Sequence, residues 1–194
     1  MKKLYNDLPG LLLIYAGLKI FFGIILSEIF FNNYSTKNNV VSDLGRSASP
    51  TNSPTTSVVI FNGAMIVAGI AITYSAFRLI PVIDKNYITI PLIIHGIAAA
   101  CVGIFPSNLS IPHTIAAITT FLTVEFVAVA AITYIGSPLS WVSAILGIFG
   151  FISLLTYPVI KTYLGDGGAE RLIIYPTTLW LVIFGVYLLS IKVK

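Results

Sequence analysis

Six long apolar stretches constrain the fold of this chain more than any other feature. They cover residues 10–31, 57–80, 87–105, 112–134, 140–164 and 170–191. Each stretch is close to the ~20 residues that an α-helix needs to cross the hydrocarbon core of a bilayer. Apolar continuity over this length excludes a membrane β-barrel, whose strands alternate over about ten residues. We therefore predict an all-α integral membrane protein in which residues 1–194 form one transmembrane domain, a six-helix bundle.

The composition agrees with this prediction. Hydrophobic residues make up 57% of the chain and charged residues only 9%, and the mean hydropathy is +0.95. A soluble domain usually carries about 25% charged residues. The eleven Lys and Arg residues stand singly or in pairs near the ends of apolar stretches, so the net charge of +4 indicates topology signals and not a nucleic-acid partner. We expect a multi-pass protein of the cell membrane whose partners are membrane lipids.

The basic residues predict the orientation. With both termini in the cytoplasm, the external connections are residues 32–56, the link near Asn108 and the turn before the last helix. Six basic residues then lie inside and four outside, as the positive-inside rule favours. The internal set is Lys2, Lys3, Arg78, Lys85, Lys192 and Lys194, and the external set is Lys37, Arg46, Lys161 and Arg171. The two glycosylation sequons, at Asn33 and Asn108, both fall outside, where they could be modified.

This topology places three polar segments at the external ends of the helices. They are "VVSDLGR" at 40–46, "FPSNLSIPHT" at 105–114 and "GDGGAERLIIYP" at 165–176. In a compact bundle they should converge and form an outer polar cluster. Its candidate residues for binding a headgroup or partner are Asp43, Arg46, His113, Glu170 and Arg171.

Two interpretations of this cluster stay open. In the first, Arg171 and free amides at a helix N-terminus bind an anion such as a lipid phosphate, while Glu170 holds a neighbouring loop through Arg46. In the second, the acids and arginines pair with one another and only fasten the loops together. His113 could act as an acid or base, but without a positioned nucleophile we assign no catalytic residue.

A second polar set lies near the middle of the predicted spans. Lys19, His95 and Glu125 each fall about nine to twelve residues from a helix end. An ionisable group at that depth costs at least ~2.5 kcal/mol on insertion scales, so these side chains should face inward. A Lys19–Glu125 pair with His95 nearby could serve proton-linked transport, or it could be an internal network that fixes helix register.

Two Tyr-Pro pairs lie near the outer ends of the last two predicted helices. Pro158 and Pro176 each remove a backbone donor, which leaves the carbonyls of Leu154 and Leu172 short of a partner. The sequence therefore predicts a bend in both helices.

The sequence indicates no cofactor and no metal. Phosphate-loop, dinucleotide-binding and zinc-protease motifs are absent from it. Its single cysteine, Cys101, lies inside an apolar stretch, which excludes an intrachain disulfide.

The polar segments also carry a family resemblance. "VVSDLGR", "FNGAMIVAG", "GIFPSNLSIPHT" and "GGAERLIIYPTTLW" follow one another in an order that resembles the polytopic membrane family catalogued as domain of unknown function 998. More distantly, the chain resembles six-helix eukaryotic membrane proteins that share an S-D-x-G motif and act in lipid-anchor remodelling or autophagy modulation. The resemblance implies six helices and singles out these positions: Ser42, Asp43, Gly45, Phe61, Asn62, Phe105, Pro106, His113, Glu170, Arg171, Tyr175, Pro176 and Trp180.

These observations favour a protein whose outer cluster recognises a lipid headgroup or stabilises a membrane partner. Three alternatives remain open at this point: an accessory subunit of a larger membrane complex, a lipid-modifying enzyme and a proton-linked transporter of small solutes. An enzyme would need the cluster to bind a metal or activate water. A transporter would need a continuous polar path from His113 to Glu125.

Overall fold

The protein folds into a bundle of helices. The computed structural model describes residues 2–46 and 55–191, so residues 47–54 of the predicted outer loop and the basic residues Lys192 and Lys194 lie outside the described parts. Six α-helices are present in those parts: α1 (Lys2–Ile29), α2 (Thr56–Leu79), α3 (Asn86–Ile104), α4 (Ser110–Ala130), α5 (Leu139–Leu155) and α6 (Tyr157–Ser190). Two 3₁₀ helices, Val41–Gly45 and Ala131–Thr133, complete the regular structure, which confirms the all-α prediction.

The six helices form a closed ring. Each helix packs against the one before it and the one after it in sequence, and α6 packs against α1. The connections after α1, α3 and α5 therefore meet at one end of the bundle, which we call the long-loop end. The opposite end, the termini end, holds the start of α1, the end of α6 and the remaining two connections.

Five of the helices are long and apolar enough to cross a membrane. They are α1 from Asp7 onward, α2, α3, α4 with the following 3₁₀ turn, and α6. The remaining helix, α5, has 17 residues. At 1.5 Å per residue it measures about 25 Å, somewhat less than the ~30 Å hydrocarbon core. The structure thus confirms a polytopic membrane protein, with five helices that meet the length of a span.

The fifth predicted helix, residues 140–164, differs from the structure. Helix α5 ends at Leu155, and Pro158 lies in the first turn of α6, where its missing N–H is no disadvantage. The carbonyl of Leu154 is not left alone either, since it accepts from the N–H of Thr156. The predicted bend of this helix at Pro158 is therefore wrong: the proline begins the next helix. Gly165, with φ 76°, then separates the arm 157–164 from the rest of α6.

Large apolar side chains fill the ring from its middle toward the termini end. Trp180, Leu181 and Phe184 of α6 are fully buried, and the rings of Trp180 and Phe184 stack with centroids 5.0 Å apart. The indole N–H of Trp180 donates to Ser143 Oγ at 2.7 Å, and that hydroxyl donates to the carbonyl of Ala128 at 2.6 Å. These bonds satisfy the polar atoms of Trp180 and Ser143, and they join α4, α5 and α6.

Glycines bring α2 and α3 into backbone contact. A Cβ on Gly96 would lie 2.6 Å from the backbone nitrogen of Thr73 and 2.9 Å from the carbonyl of Gly69. Such close approach lets helices pack by van der Waals contact, which matters in lipid because no hydrophobic force gathers them there.

This contact predicts the behaviour of two alanine substitutions. Gly96→Ala should lower the free energy of unfolding by roughly 1–3 kcal/mol, since the added methyl overpacks the α2–α3 interface. Gly63→Ala is the matched control, because a Cβ there meets nothing within 4 Å. Thermal unfolding in detergent measures both. Equal melting temperatures for the two variants would contradict the close packing.

Candidate functional site

Arg171 is the centre of a polar cluster at the long-loop end. Its Nη2 donates to Glu28 Oε1 at 2.5 Å and to the hydroxyl of Tyr34 at 2.8 Å. Its Nη1 donates to the carbonyl of Gly167 at 2.8 Å and to that of Thr36 at 3.1 Å. The residue is only 8% exposed. The guanidinium therefore joins α6 to the end of α1 and to the connection that follows α1.

Glu170 fastens the same connection one step further along the chain. Its carboxylate accepts from the backbone N–H groups of Val41 and Ser42. Both N–H groups belong to the first turn of a 3₁₀ helix, where no earlier carbonyl is available to them. Sequence reasoning placed Arg46 in this role, but Arg46 is exposed and lies 3.9 Å from Asp43. Segment 34–46 together with Glu28, Glu170 and Arg171 is called the clasp below.

The glycines of "GDGG" allow the clasp to close. The N–H of Gly167 donates to the carbonyl of Lys37 at 3.0 Å, so the connection lies directly on α6. A Cβ on Gly165 would collide with that same carbonyl, and a Cβ on Gly167 would collide with the carbonyl of Asn39. Gly165 also needs its positive φ, which glycine adopts without steric cost.

Tyr34 links Arg171 to the backbone of segment 34–46 within the clasp. Its hydroxyl accepts from Arg171 and lies 3.3 Å from the carbonyl of Val40, to which it donates. Burial raises the pKa of Tyr34 to about 12, although the nearby guanidinium opposes that shift. The hydroxyl is therefore protonated at neutral pH, as its donor role requires.

The far end of segment 34–46 is tied to α2. Asn62 Nδ2 donates to the carbonyl of Gly45 at 3.1 Å, and Ser57 Oγ donates to that of Leu44 at 3.1 Å. Asp43 accepts from Asn39 Nδ2 at 3.3 Å. The segment is thus fixed against α1, α2 and α6, and it covers the long-loop end of the ring.

An open cleft of about 420 Å³ lies beside the clasp, between α4 and the α5–α6 junction. We call it the lateral cleft. Its polar wall at the long-loop end contains Ser42, His113, Thr114, Tyr157 and Glu170, and its deeper wall is apolar, formed mainly by Ala117, Ile118, Phe121, Leu154 and Ile173.

Two of the polar wall groups are oriented by hydrogen bonds. His113 Nδ1 lies 2.7 Å from the carbonyl of Phe105, so it carries a proton and donates to that acceptor. The hydroxyl of Tyr157 donates to Asp166 Oδ1 at 2.9 Å. Both groups use a proton in a bond within the protein, and the Tyr157 oxygen keeps lone pairs that can accept from a ligand.

A smaller cavity of about 40 Å³ lies inside the ring, next to the lateral cleft. Ser42, His113 and Glu170 line both spaces, and His95 and Thr177 line the inner one. At 10–15 Å³ per molecule, this cavity has room for about three waters. His95 Nε2 is buried without a protein partner, which favours a water there.

The midplane residues are arranged differently from the predicted network. Glu125 is 1% exposed and accepts from Thr177 Oγ1 at 3.0 Å, in a space that a side chain at Gly150 would fill. His95 is also buried and bonds through Nδ1 to the carbonyl of Thr120 at 2.9 Å. Lys19, however, lies exposed on the outside of the ring. The Lys19–Glu125 pair is therefore not formed, because the two side chains are on opposite sides of the ring wall.

Sequence reasoning missed Glu28, Tyr34, Tyr157 and Thr177. The pairing of Glu28 could have been predicted, because a carboxylate in the last turn of a largely apolar helix needs a cation at the same depth. The other three are ordinary hydroxyl residues whose role depends on the fold. Among residues 2–46 and 55–191, no group of three or more His, Cys, Asp or Glu side chains could hold a metal ion.

The two glycosylation candidates are both exposed at the long-loop end. Asn33 follows α1 and has a φ of 59°, and Asn108 lies in the turn between α3 and α4. Their modification stays a prediction, together with the external position of this end.

The geometry of the clasp predicts how two Arg→Lys substitutions affect the stability of the protein. Arg171→Lys keeps the charge but cannot make four directed bonds, so it should lower the free energy of unfolding by about 1–3 kcal/mol. Arg46→Lys changes an exposed arginine and should have almost no effect. Thermal unfolding in detergent compares the two variants. If Arg171→Lys is as mild as Arg46→Lys, the clasp does not hold the fold.

Comparison with known proteins places the chain in a family. No curated protein and no solved structure matches it. A family match, in contrast, extends over residues 14–187, which include part or all of each of the six helices and every residue of the clasp and the lateral cleft. The chain belongs to the family described as "Protein of unknown function (DUF998)".

Proposed function

We propose that this protein binds the polar head of a membrane lipid in the lateral cleft. The observation that carries the proposal is the division of the cleft into a polar wall at the helix ends and an apolar wall deeper in the bundle. A lipid in a bilayer has the same arrangement, with its polar head near the ends of the helices and its acyl chains deeper. The volume of about 420 Å³ also falls in the range of small-molecule sites.

The groups that face the cleft favour a particular kind of head. Arg171, which the sequence offered as an anion site, has its charge paired with Glu28 and its donors engaged inside the clasp. The cleft instead presents the Glu170 carboxylate and several acceptor oxygens. A head with ammonium or hydroxyl donors complements these groups, whereas a head with net negative charge meets no Lys or Arg among the residues that line the cleft.

The orientation of the protein is part of the same proposal. If the long-loop end faces outward, as the basic residues favour, the cleft opens toward the outer leaflet of the cell membrane. The clasp then forms an external cap, and both termini are cytoplasmic.

Proton-linked transport is the second candidate, and one observation favours it. His113 and Thr177 both line the inner cavity, and Thr177 donates to Glu125, so polar groups continue from the cleft to the middle of the bundle. A cavity for about three waters is nevertheless too small for a solute. Beyond Glu125, Trp180 and Phe184 fill the ring. Lipid binding therefore accounts for more of the geometry.

Filling the cleft tests the lipid proposal. Ala117→Phe places a ring in the cleft wall and should reduce retention of phosphatidylethanolamine about tenfold, which corresponds to ~1.4 kcal/mol. Wild-type protein should retain phosphatidylethanolamine better than phosphatidylglycerol, because the cleft wall presents acceptor groups to the ammonium and has no Lys or Arg for the anionic head. Native mass spectrometry of protein taken from nanodiscs of each lipid measures both effects.

The matched control is Ile145→Phe on α5, because Ile145 is 63% exposed and lies outside the cleft. It should retain lipid as the wild type does. The melting temperature of each variant establishes that it is folded. If folded Ala117→Phe retains as much phosphatidylethanolamine as Ile145→Phe, the cleft is not the binding site.

A further inference from the structure

Lys19 occupies an unusual position for a charged residue. It lies on α1 in the span Asp7–Ile29, ten residues from one end and twelve from the other, or about 15 and 18 Å. The side chain is exposed on the outside of the ring. The four-carbon stem of a lysine near a helix end can carry its ammonium to the interface, but from this depth the remaining distance is too long.

No described side chain neutralises Lys19. Of the glutamates within the spans, Glu28 pairs with Arg171, Glu170 bonds to the backbone of segment 34–46, and Glu125 bonds to Thr177 and faces the interior. The described ion pairs involve Asp43, Glu28 and Asp166 as acids, and none of them includes Lys19. An ammonium without a counter-charge in hydrocarbon is costly, so such residues usually pair or mark a functional surface.

The surroundings of Lys19 form a continuous apolar stripe on α1. Tyr15, Leu18, Phe22 and Leu26 are each 42–53% exposed. With Lys19 they follow the spacing i, i+3, i+4, i+7 and i+11, which places all five on one helix face. We call these five residues the α1 outer face. Apolar residues in this pattern suit lipid as well as another helix, so the charge near the centre is what distinguishes this face.

A second copy of this chain does not complement the α1 outer face. Two copies related by a twofold axis through it would bring their Lys19 ammonium groups together, and like charges repel. A contact with another face of a second copy would need an exposed carboxylate near the middle of a span. The described acids that are exposed, Asp84 and Asp166, lie in a connection and at the long-loop end.

We infer that the α1 outer face docks a transmembrane helix of a different membrane protein, one that carries an Asp or Glu near its middle. Lys19 pairs with that carboxylate, and the stripe packs against the apolar residues beside it. A buried pair between helices satisfies both charges in hydrocarbon and also selects the partner, since a neutral or basic helix leaves the ammonium unpaired. This surface is separate from the lateral cleft, which lies on the opposite part of the ring.

Synthetic helices test the inference directly. Leucine-rich 20-residue transmembrane peptides with a single central Glu, Gln or Lys are labelled and mixed with the labelled full chain in phosphatidylcholine vesicles, and energy transfer reports association. The Glu peptide should bind the wild type about three- to tenfold more tightly than the Gln peptide. Lys19→Met should remove this preference, Lys19→Arg should retain it, and Lys19→Glu should transfer it to the Lys peptide.

The outcomes separate this inference from the lipid proposal. Equal binding of the Glu and Gln peptides to wild-type protein would overturn it, and would mean that lipid phosphate or water serves Lys19. A preference for Glu that persists in Lys19→Met would overturn it too. Lys19→Met should leave phosphatidylethanolamine retention unchanged, because the cleft is elsewhere, and failure of the Ala117→Phe experiment would not affect the peptide result.

Discussion

The ion pair between Arg171 and Glu28, whose side chains are 9% and 21% exposed, is the interaction on which the rest of the structure depends. It lies where the last helix returns to the first, so it fixes the contact that closes the ring. Arg171 is 8% exposed, so its donors need partners within the protein, and the Tyr34 hydroxyl and two backbone carbonyls accept from it beside Glu28. The same bonds order the connection after α1, which would otherwise cover the bundle loosely.

The neighbouring acid extends this order to the proposed binding site. Glu170 precedes Arg171 on α6, yet its carboxylate bonds to the backbone at Val41 and Ser42 and also lines the lateral cleft. One dipeptide therefore closes the ring with its guanidinium and shapes the cleft wall with its carboxyl group. A lipid head bound in the cleft would contact a wall whose position the ion pair determines. The glycines before the dipeptide are part of this arrangement, because a side chain at Gly167 would push segment 34–46 away from α6.

The sequence predicted the elements well because apolar length is a local property. The fold class and five of the spans could be inferred from stretches of about 20 residues, and the family from the order of four short motifs. The three polar segments also meet at one end of the bundle, as their order suggests. The failures concern contacts that depend on how each helix is rotated about its axis. Depth alone placed Lys19 and Glu125 together, but rotation puts one outside the ring and the other inside. Likewise the partner of Arg171 proved to be Glu28, 143 residues away, instead of a lipid phosphate. The division of residues 140–164 depended on whether Pro158 interrupts a helix or begins one, a choice that local pattern does not determine.

A double-mutant cycle on Arg171 and Glu28 tests the central claim most directly. Arg171→Met and Glu28→Met, alone and combined, are compared by equilibrium unfolding in detergent. Each single change leaves a buried or half-buried charge without its partner, so we expect the double variant to be more stable than either single one, with a coupling energy of about 2 kcal/mol. Losses that simply add, with a coupling energy near zero, would contradict the claim that this pair closes the ring.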